Sequence, residues 1–483
     1  MRPLIRAPLE LLLPADRDAA LLVLGDAGAP LWAEGRRGAT HGAAGSFAAA
    51  VRLPGGPDPS PRSLERLWTS IHSDGVVIWV ARSGERPVPV PPPLDAIRFL
   101  ARGRSLWRPE AGWVRPLASA SKVDLARSLL GLAERPTHEI QLVARGRGLE
   151  RVWLSELLGR IGPPIADEVV RDSLGRIDRT ETGLVICQIR TRQGAVLALK
   201  VGQGERLRDR LARDTRVVGN LVRRGLPPPI ARALPGALAA GEHREAAYRV
   251  EPWIEGQPAA RLMYRVGARE RGVDAALSWV GELHAATRCE PRAPESLADQ
   301  ARAVLRRAGE QVSADGVGFA DAVGSYVERR LRRHVVPGVH GHGDFWLGNV
   351  VCSADTGLVT GVLDWDLGDA QAPPLEDPLH LLFYRKGPLR PYDPGARLAD
   401  FLRGRCGATD RGRIADYLRR LQVDAGAVGA LALVYWVRYL DTRESFLRGL
   451  RAGTARAYLP VRRVVEGALE AGLDSLGSRL LAG

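Results

Sequence analysis

Residues 340–349 read His340-Gly341-His342-Gly343-Asp344-Phe345-Trp346-Leu347-Gly348-Asn349, and Val362-Leu363-Asp364-Trp365-Asp366 follows. Asp344 and Asn349 reproduce the Asp-x-x-x-x-Asn spacing of a catalytic loop that performs phosphoryl transfer. Asp364, fifteen residues after Asn349, stands where such a site carries its metal-binding aspartate. Asp366 lies two residues further on, so both carboxylates emerge on one face of an extended segment. There it would serve a second metal or accept backbone hydrogen bonds. A different chemistry is also open to this stretch, because His340 and His342 at i, i+2, together with Asp344, could form a three-ligand zinc site. That reading leaves Asn349, Asp364 and the strand lysine described next without a use.

The elements that must position these groups are legible around them. Val350–Cys352 and Leu358–Leu363 flank Ala354-Asp355-Thr356-Gly357, a hairpin signal that would carry Asn349 and Asp364 back to one place. Earlier, Val185–Ile189 and Ala195–Val201 flank Arg192-Gln193-Gly194, a second hairpin. In its second strand Val196, Ala198 and Lys200 share one face, while Leu197, Leu199 and Val201 take the other. A flat base could lie over Ala198 while the Lys200 ammonium reaches phosphates. Leu207, Leu211, Val218 and Leu221 then recur at helical spacing, with Asp214 on the same stripe. A carboxylate on an apolar face is costly unless it meets a cation, and Lys200 is the expected partner, with Glu205 as the alternative. Glycine is sparse ahead of the first hairpin, where only Gly183 precedes it closely, so any phosphate-covering loop must use hydroxyls and backbone N–H groups.

Taken together, the His-Gly-Asp-(x)4-Asn element, the apolar strand and Asp-Trp-Asp resemble the aminoglycoside phosphotransferase and choline kinase family. Arg213-Asp214, Leu221 and Gly225-Leu226-Pro227 look like that family's Arg-Glu helix and its exit to a proline. Val250-Glu251-Pro252-Trp253-Ile254-Glu255-Gly256 resembles its connection between lobes, Leu283-His284-Ala285 its Leu-His helix, and Asp377-Pro378 the acid after the metal strand. The similarity runs over roughly residues 167 to 460. Two departures stand out: Asp214 replaces the usual glutamate, and the Asp364-to-Asp377 interval is about one residue longer than usual.

The resemblance implies an α+β, protein-kinase-like two-lobed fold. Residues 167–255 would form an antiparallel-sheet N-lobe and residues 256–483 a mainly helical C-lobe. It implies ATP, with GTP left open, and Mg2+. Ala198, Lys200, Asp214, Val250 and Trp253 would hold the nucleotide, and Asn349, Asp364 and Asp366 the metal. Asp344 would act as the base toward a hydroxyl of a small molecule such as a sugar, an amino alcohol or an antibiotic-like compound. The alternative is a kinase-like binding or regulatory protein without turnover. His342 is expected to brace the loop, and His284 to be a satisfied core histidine.

The rest of the chain bounds this reading. At 483 residues, two or three domains are expected. Residues 1–160 are read as a small α/β domain of unassigned role, with strand-like Leu21–Leu24 and Val76–Ala81 and helical segments near Pro61–Ile71 and Lys122–Ala133. Its strand order loosely resembles a degenerate class I methyltransferase-like domain, and Gly25-Asp26-Ala27-Gly28 reads as an ordinary strand-to-helix turn. The formal charge of +14 would suit a nucleic-acid partner, yet the arginines are spread along the chain without a basic block, so none is expected. Only Lys122, Lys200 and Lys386 are lysines, and a retained lysine marks a place for a compact ammonium. Cys187, Cys289, Cys352 and Cys406 lie far apart, which argues against a disulfide framework and for a reducing cytoplasm. No membrane span and no signal peptide are expected, and the apolar run Val428–Val437 reads as a buried core helix. The sequence does not indicate an oligomeric state.

Overall fold

The computed structural model describes residues 21–24, 38–39, 47–52, 71–82, 95–102, 105–107, 138–144, 152–161, 174–180, 182–260, 268–312, 316–353, 355–384, 394–446 and 451–471. The expected helices at 61–71 and 122–133 lie outside the described residues, apart from Ile71, which begins a strand; so does the Gly25–Gly28 turn. The chain divides into one unit of Met1–Leu211 with Ala237–Trp253 and another of Ala212–Gly236 with Ile254–Gly483.

The first unit is built on one sheet. Its strands are β1 (Leu21–Leu24), β2 (Gly38–Ala39), β3 (Phe47–Arg52), β4 (Ile71–Arg82), β5 (Asp95–Arg102), β6 (Ser105–Trp107), β7 (His138–Ala144), β8 (Leu174–Arg179), β9 (Val185–Arg190), β10 (Val196–Gln203), β11 (Ala239–His243) and β12 (Ala246–Pro252). They lie in the order β11-β12-β10-β9-β8-β6-β5-β7-β4-β3-β1-β2. Pairing is antiparallel from β11 through β4, and parallel where β4, β3, β1 and β2 adjoin. The expected α/β region at the N-terminus thus continues directly into the sheet of β8–β12, through β6 against β8. Helix α1 (Trp153–Ile161) buries Leu154, Leu157 and Leu158.

The β9–β10 hairpin forms where the sequence places it. Gly194 takes φ 86°, and its N–H donates to Thr191 O at 2.9 Å. Leu197, Leu199 and Val201 are buried beside Cys187 and Ile189. Each such side chain contributes about 1.5–3 kcal/mol when fully buried. Gly202 lets the start of helix α2 (Glu205–Val222) approach β10, since a Cβ there would stand 2.7 Å from Leu207 Cβ. Within this unit Leu184, Leu211 and Ala247 form a cluster that Leu207 and Ile186 pack against.

The unit boundary falls inside α2, and the second unit is mainly helical. It holds the end of α2, α3 (Pro228–Arg232), α4 (Ala268–Ala286), α5 (Pro294–Val312), α6 (Val317–Arg333), α7 (Glu376–Phe383), α8 (Pro394–Leu402), α9 (Ala408–Leu421), α10 (Val428–Phe446) and α11 (Arg451–Ala471). Its core is one apolar cluster that includes Val218 and Leu221 of α2. The run Val428–Val437 is buried within α10, where Trp436 meets Phe319 edge-on and stacks on Tyr458. Two small sheets complete the unit: β13 (Gln257–Pro258), β15 (Val350–Cys352) and β16 (Val359–Val362) form one, and β14 (Val339–Gly341) pairs with β17 (Asp369–Ala372). The antiparallel sheet and the helical unit agree with the α+β expectation. Among the described residues no single helix is long and apolar enough to cross a membrane.

Candidate active site

In the second unit the loop after β14 and the end of β16 are tied together. β15 and β16 pair antiparallel with Val350 opposite Val362. One residue beyond that pair, Leu363 N–H donates to Asn349 O at 2.8 Å, which sets Asp364 beside Asn349. Asn349 is buried, and its amide nitrogen donates to both the Asp344 carbonyl at 3.0 Å and Asp344 Oδ2 at 3.1 Å. Its amide oxygen therefore remains as an acceptor. Asp364 adopts φ 63°, which is uncommon outside glycine and concentrates at functional sites. Asp214 supports that turn: it is 4% exposed, and its Oδ1 accepts the Trp365 N–H at 3.0 Å. Asp366 is also buried.

The loop itself is braced from behind by Asp377, the second residue of α7. Its Oδ2 accepts His342 N–H at 2.7 Å and its Oδ1 accepts Gly343 N–H at 3.0 Å. His284 Nε2 lies 3.1 Å from the same carboxylate, and His284 Nδ1 lies 2.6 Å from the Tyr417 hydroxyl. Burial pushes the Asp377 carboxyl up, but the His284 hydrogen bond, the His284 charge and His342 outweigh it and hold the group at about 2. Gly343 is required for this closure, because it sits at φ 82° and a Cβ there would stand 2.4 Å from Leu367 O.

His342 is used twice within the loop. Its Nε2 donates to Leu363 O at 2.8 Å, and its Nδ1 accepts Asp344 N–H at 3.2 Å. With both nitrogens engaged, His342 has no lone pair left for zinc. His340 is buried, and its ring is held mostly neutral by burial, with its value lowered to about 4. Among the described residues no group of three or more His, Cys, Asp and Glu side chains is placed to hold a metal. The expected magnesium set differs in kind, being two carboxylates and an amide oxygen, hard donors that suit a small divalent ion.

One residue without a signal in the sequence completes the loop. His380, on α7, places Nε2 3.1 Å from Asp344 Oδ1. Its Nδ1 lies 3.3 Å from the Tyr435 hydroxyl of α10. Aromatic rings continue outward: Tyr384 stacks on His380 at 4.6 Å, and Trp346 meets Tyr384 at 5.7 Å. A cavity of about 530 Å3 also opens on this unit, lined by Arg288, Cys289, Arg292, His334 and Gln371 among others. It includes none of Asp344, Asn349 and Asp364.

In the first unit, Ala198 and Lys200 lie on β10, Val250 on β12 and Trp253 one residue past its end. Lys200 is opposite Arg249 in register, and Ala198 opposite Glu251. Lys200 is 4% exposed, with Nζ 2.9 Å from Glu251 Oε1; Arg249 Nε lies 3.0 Å from Glu251 Oε2. Glu251 is thus a lysine partner that the sequence placed only in the connection between lobes. Val250 is opposite Leu199, so its side chain takes the face away from Ala198 and Lys200. Trp253 N–H donates to Val196 O at 2.9 Å, continuing the strand. Glu205, the alternative partner for Lys200, is exposed at the start of α2.

Residues 187–417 match the model of the phosphotransferase enzyme family. The match does not reach the first 186 residues. No match to a curated protein was found. Among solved structures, the chain is similar to a choline/ethanolamine kinase family protein from Mesorhizobium loti, at 18% identity, covering 68% of this chain and 98% of that one, with a TM-score of 0.37. It is similar to an aminoglycoside phosphotransferase from Streptomyces rimosus, solved with ADP and streptomycin, at 18% identity, covering 53% of this chain and 91% of that one, with a TM-score of 0.34. It is also similar to a macrolide 2'-phosphotransferase from Brachybacterium faecium, at 15% identity, covering 59% and 94%, with a TM-score of 0.35.

Proposed function

We propose that this chain, a phosphotransferase by its family match over residues 187–417, moves the γ-phosphoryl group of ATP to a hydroxyl of a small molecule with Asp344 as the base. The observation that carries the reading is the Asn349 side chain. Its nitrogen grips Asp344, while its backbone carbonyl holds Leu363 and so keeps Asp364 alongside. Base and metal ligands are thereby fixed by one residue.

Phosphoryl transfer asks the protein mainly for position and charge. Asp344 accepts the proton of the acceptor hydroxyl and orients its oxygen, and its own carboxylate is held in place from two sides. The Asn349 amide oxygen, Asp364 and Asp366 would hold Mg2+, which would supply charge neutralisation at the phosphates. Within the first unit, Lys200, paired with Glu251, would bind nucleotide phosphates, and Ala198 offers a small surface to the adenine. The segments 167–255 and 256–483 act as the two lobes, and residues 1–160 precede them.

The acceptor is read from what surrounds Asp344. Tyr384, Trp346 and His380 present rings, which suit the flat faces of a sugar or of an antibiotic-like ring. The charge of +14 opposes the approach of polycationic acceptors. The solved relatives bind streptomycin or are described as macrolide or choline/ethanolamine kinases, all small acceptors. The test is ADP release over a panel of neutral, anionic and cationic hydroxyl compounds, with magnesium and then with excess EDTA. At least one neutral or anionic acceptor is expected to raise turnover, and EDTA to abolish it. Nucleotide binding without turnover on any acceptor would instead support a binding or regulatory protein.

A further inference from the structure

Beyond the base itself, we infer that His380 and Tyr435 form a positioning pair that presents the Asp344 carboxylate to the acceptor; this rests on Asp344 being the base. The Asp344 side chain is 40% exposed, so left to itself its carboxylate would rotate freely about the last bond. Two contacts prevent this. Asn349 holds Oδ2 at 3.1 Å from within the loop, and His380 Nε2 approaches Oδ1 at 3.1 Å from α7. The carboxylate plane is set by a donor on each oxygen.

The contact on Oδ1 works only if His380 carries its proton on Nε2. An imidazole with the proton on Nδ1 would turn a lone pair toward the carboxylate, two acceptors face to face. The acceptor-only carboxylate selects the first, and the Tyr435 hydroxyl, able to donate or accept, can match it as the donor. That hydroxyl lies 3.3 Å from Nδ1, and Tyr435 is 3% exposed, buried on the core helix α10. An O–H pointed at Nδ1 makes that nitrogen the acceptor and leaves the hydrogen on Nε2. The histidine is itself restrained, since Tyr384 stacks on its ring at 4.6 Å and the side chain is only 10% exposed. The order of contacts is Tyr435 to His380 to Asp344, each group fixing the orientation of the next.

The same helix also carries Asp377, three residues earlier, whose carboxylate holds the N–H groups of His342 and Gly343. Helical spacing of three places both side chains toward the loop. α7 therefore fixes the loop backbone with one residue and the catalytic side chain with another.

The test uses the full chain with magnesium and ATP, water being the acceptor, read as ADP release. His380→Phe should lower kcat about tenfold to a hundredfold, the scale of a lost hydrogen bond to a charged group, with the KM for ATP within about twofold. His380→Gln, which places an amide N–H near the former Nε2, should recover to within about threefold of wild type. A His380→Phe enzyme as fast as wild type, or a His380→Gln enzyme as slow as His380→Phe, overturns the proposal. Asp344→Ala is measured alongside: if it too retains full turnover, the base assignment fails and takes this pair with it. If Asp344→Ala collapses while His380→Phe does not, the pair alone is wrong. A second measurement is independent of folding defects and of turnover. Long-range 1H–15N correlations of the wild-type histidines at pH 8, with His380→Gln used for assignment, should give the Nε2–H tautomer. An Nδ1–H tautomer overturns the proposal.

Discussion

Burial should push the Asp377 carboxyl up, yet His284 and two loop N–H groups hold it at about 2 against an ordinary 3.8. The sign follows from linkage. A carboxylate whose folded value is depressed stabilises the fold above about pH 4, and that stabilisation is lost as pH falls toward 2; the size is on the order of 2 kcal/mol. Asp377→Asn should therefore lower the urea midpoint at pH 7, and its deficit relative to wild type should shrink below about pH 4. A deficit that stays constant from pH 7 to pH 3 contradicts the assignment. At this scale the sequence was informative where chemistry and spacing coincide. Asp344, Asn349 and Asp364 stand out because an Asp-x-x-x-x-Asn loop and a later aspartate are rare together. Glu251 and His380 did not stand out. Glu251 was marked only as part of the connection between lobes and His380 not at all, and their partners, Lys200 and Asp344, lie 51 and 36 residues away across pairings that only the folded chain specifies.

The elements explain why those partners meet. Hairpins declare themselves locally, so β9–β10 and β15–β16 were legible from a glycine turn between apolar alternations. The pairing of β10 with β12 was not, because forty-odd residues and two helices intervene, and it is this register that sets Glu251 beside Lys200. Nor did the sequence reveal that the N-terminal strands join the same sheet, since β6 against β8 is a non-local ladder. Asp214 illustrates a further point. Its place on the apolar stripe of α2 was readable, but its hydrogen bond to Trp365 N–H arises from the packing of α2 on the turn after β16. Asp214→Ala should leave that N–H buried and unmet, a cost of about 1–3 kcal/mol, and loosen the Asp364 turn. A fall in thermal midpoint together with weaker magnesium dependence of ADP release is the expected outcome; unchanged values for both would count against it. Gly343→Ala is expected to be more severe, since both its positive φ and the Leu367 carbonyl 2.4 Å from a built Cβ oppose any side chain. Circular dichroism near that of wild type with turnover below about a tenth would fit a local loop fault of a few kcal/mol.

At the scale of the whole molecule, charge is the property most directly read from sequence. With a net +14, ADP-release kcat/KM for an anionic acceptor should fall as salt rises from about 0.05 to 0.5 M, while that for a neutral one should change little. Equal salt dependence for both would mean that the overall field does not steer the acceptor. The proposed role of Asp344 as the base is tested by comparing Asp344→Ala with wild type on the best acceptor of the panel. The variant should bind ATP with unchanged affinity yet turn over at below about 1% of the wild-type rate, because base and orienting group are lost together. Turnover close to wild type in that variant would contradict the account.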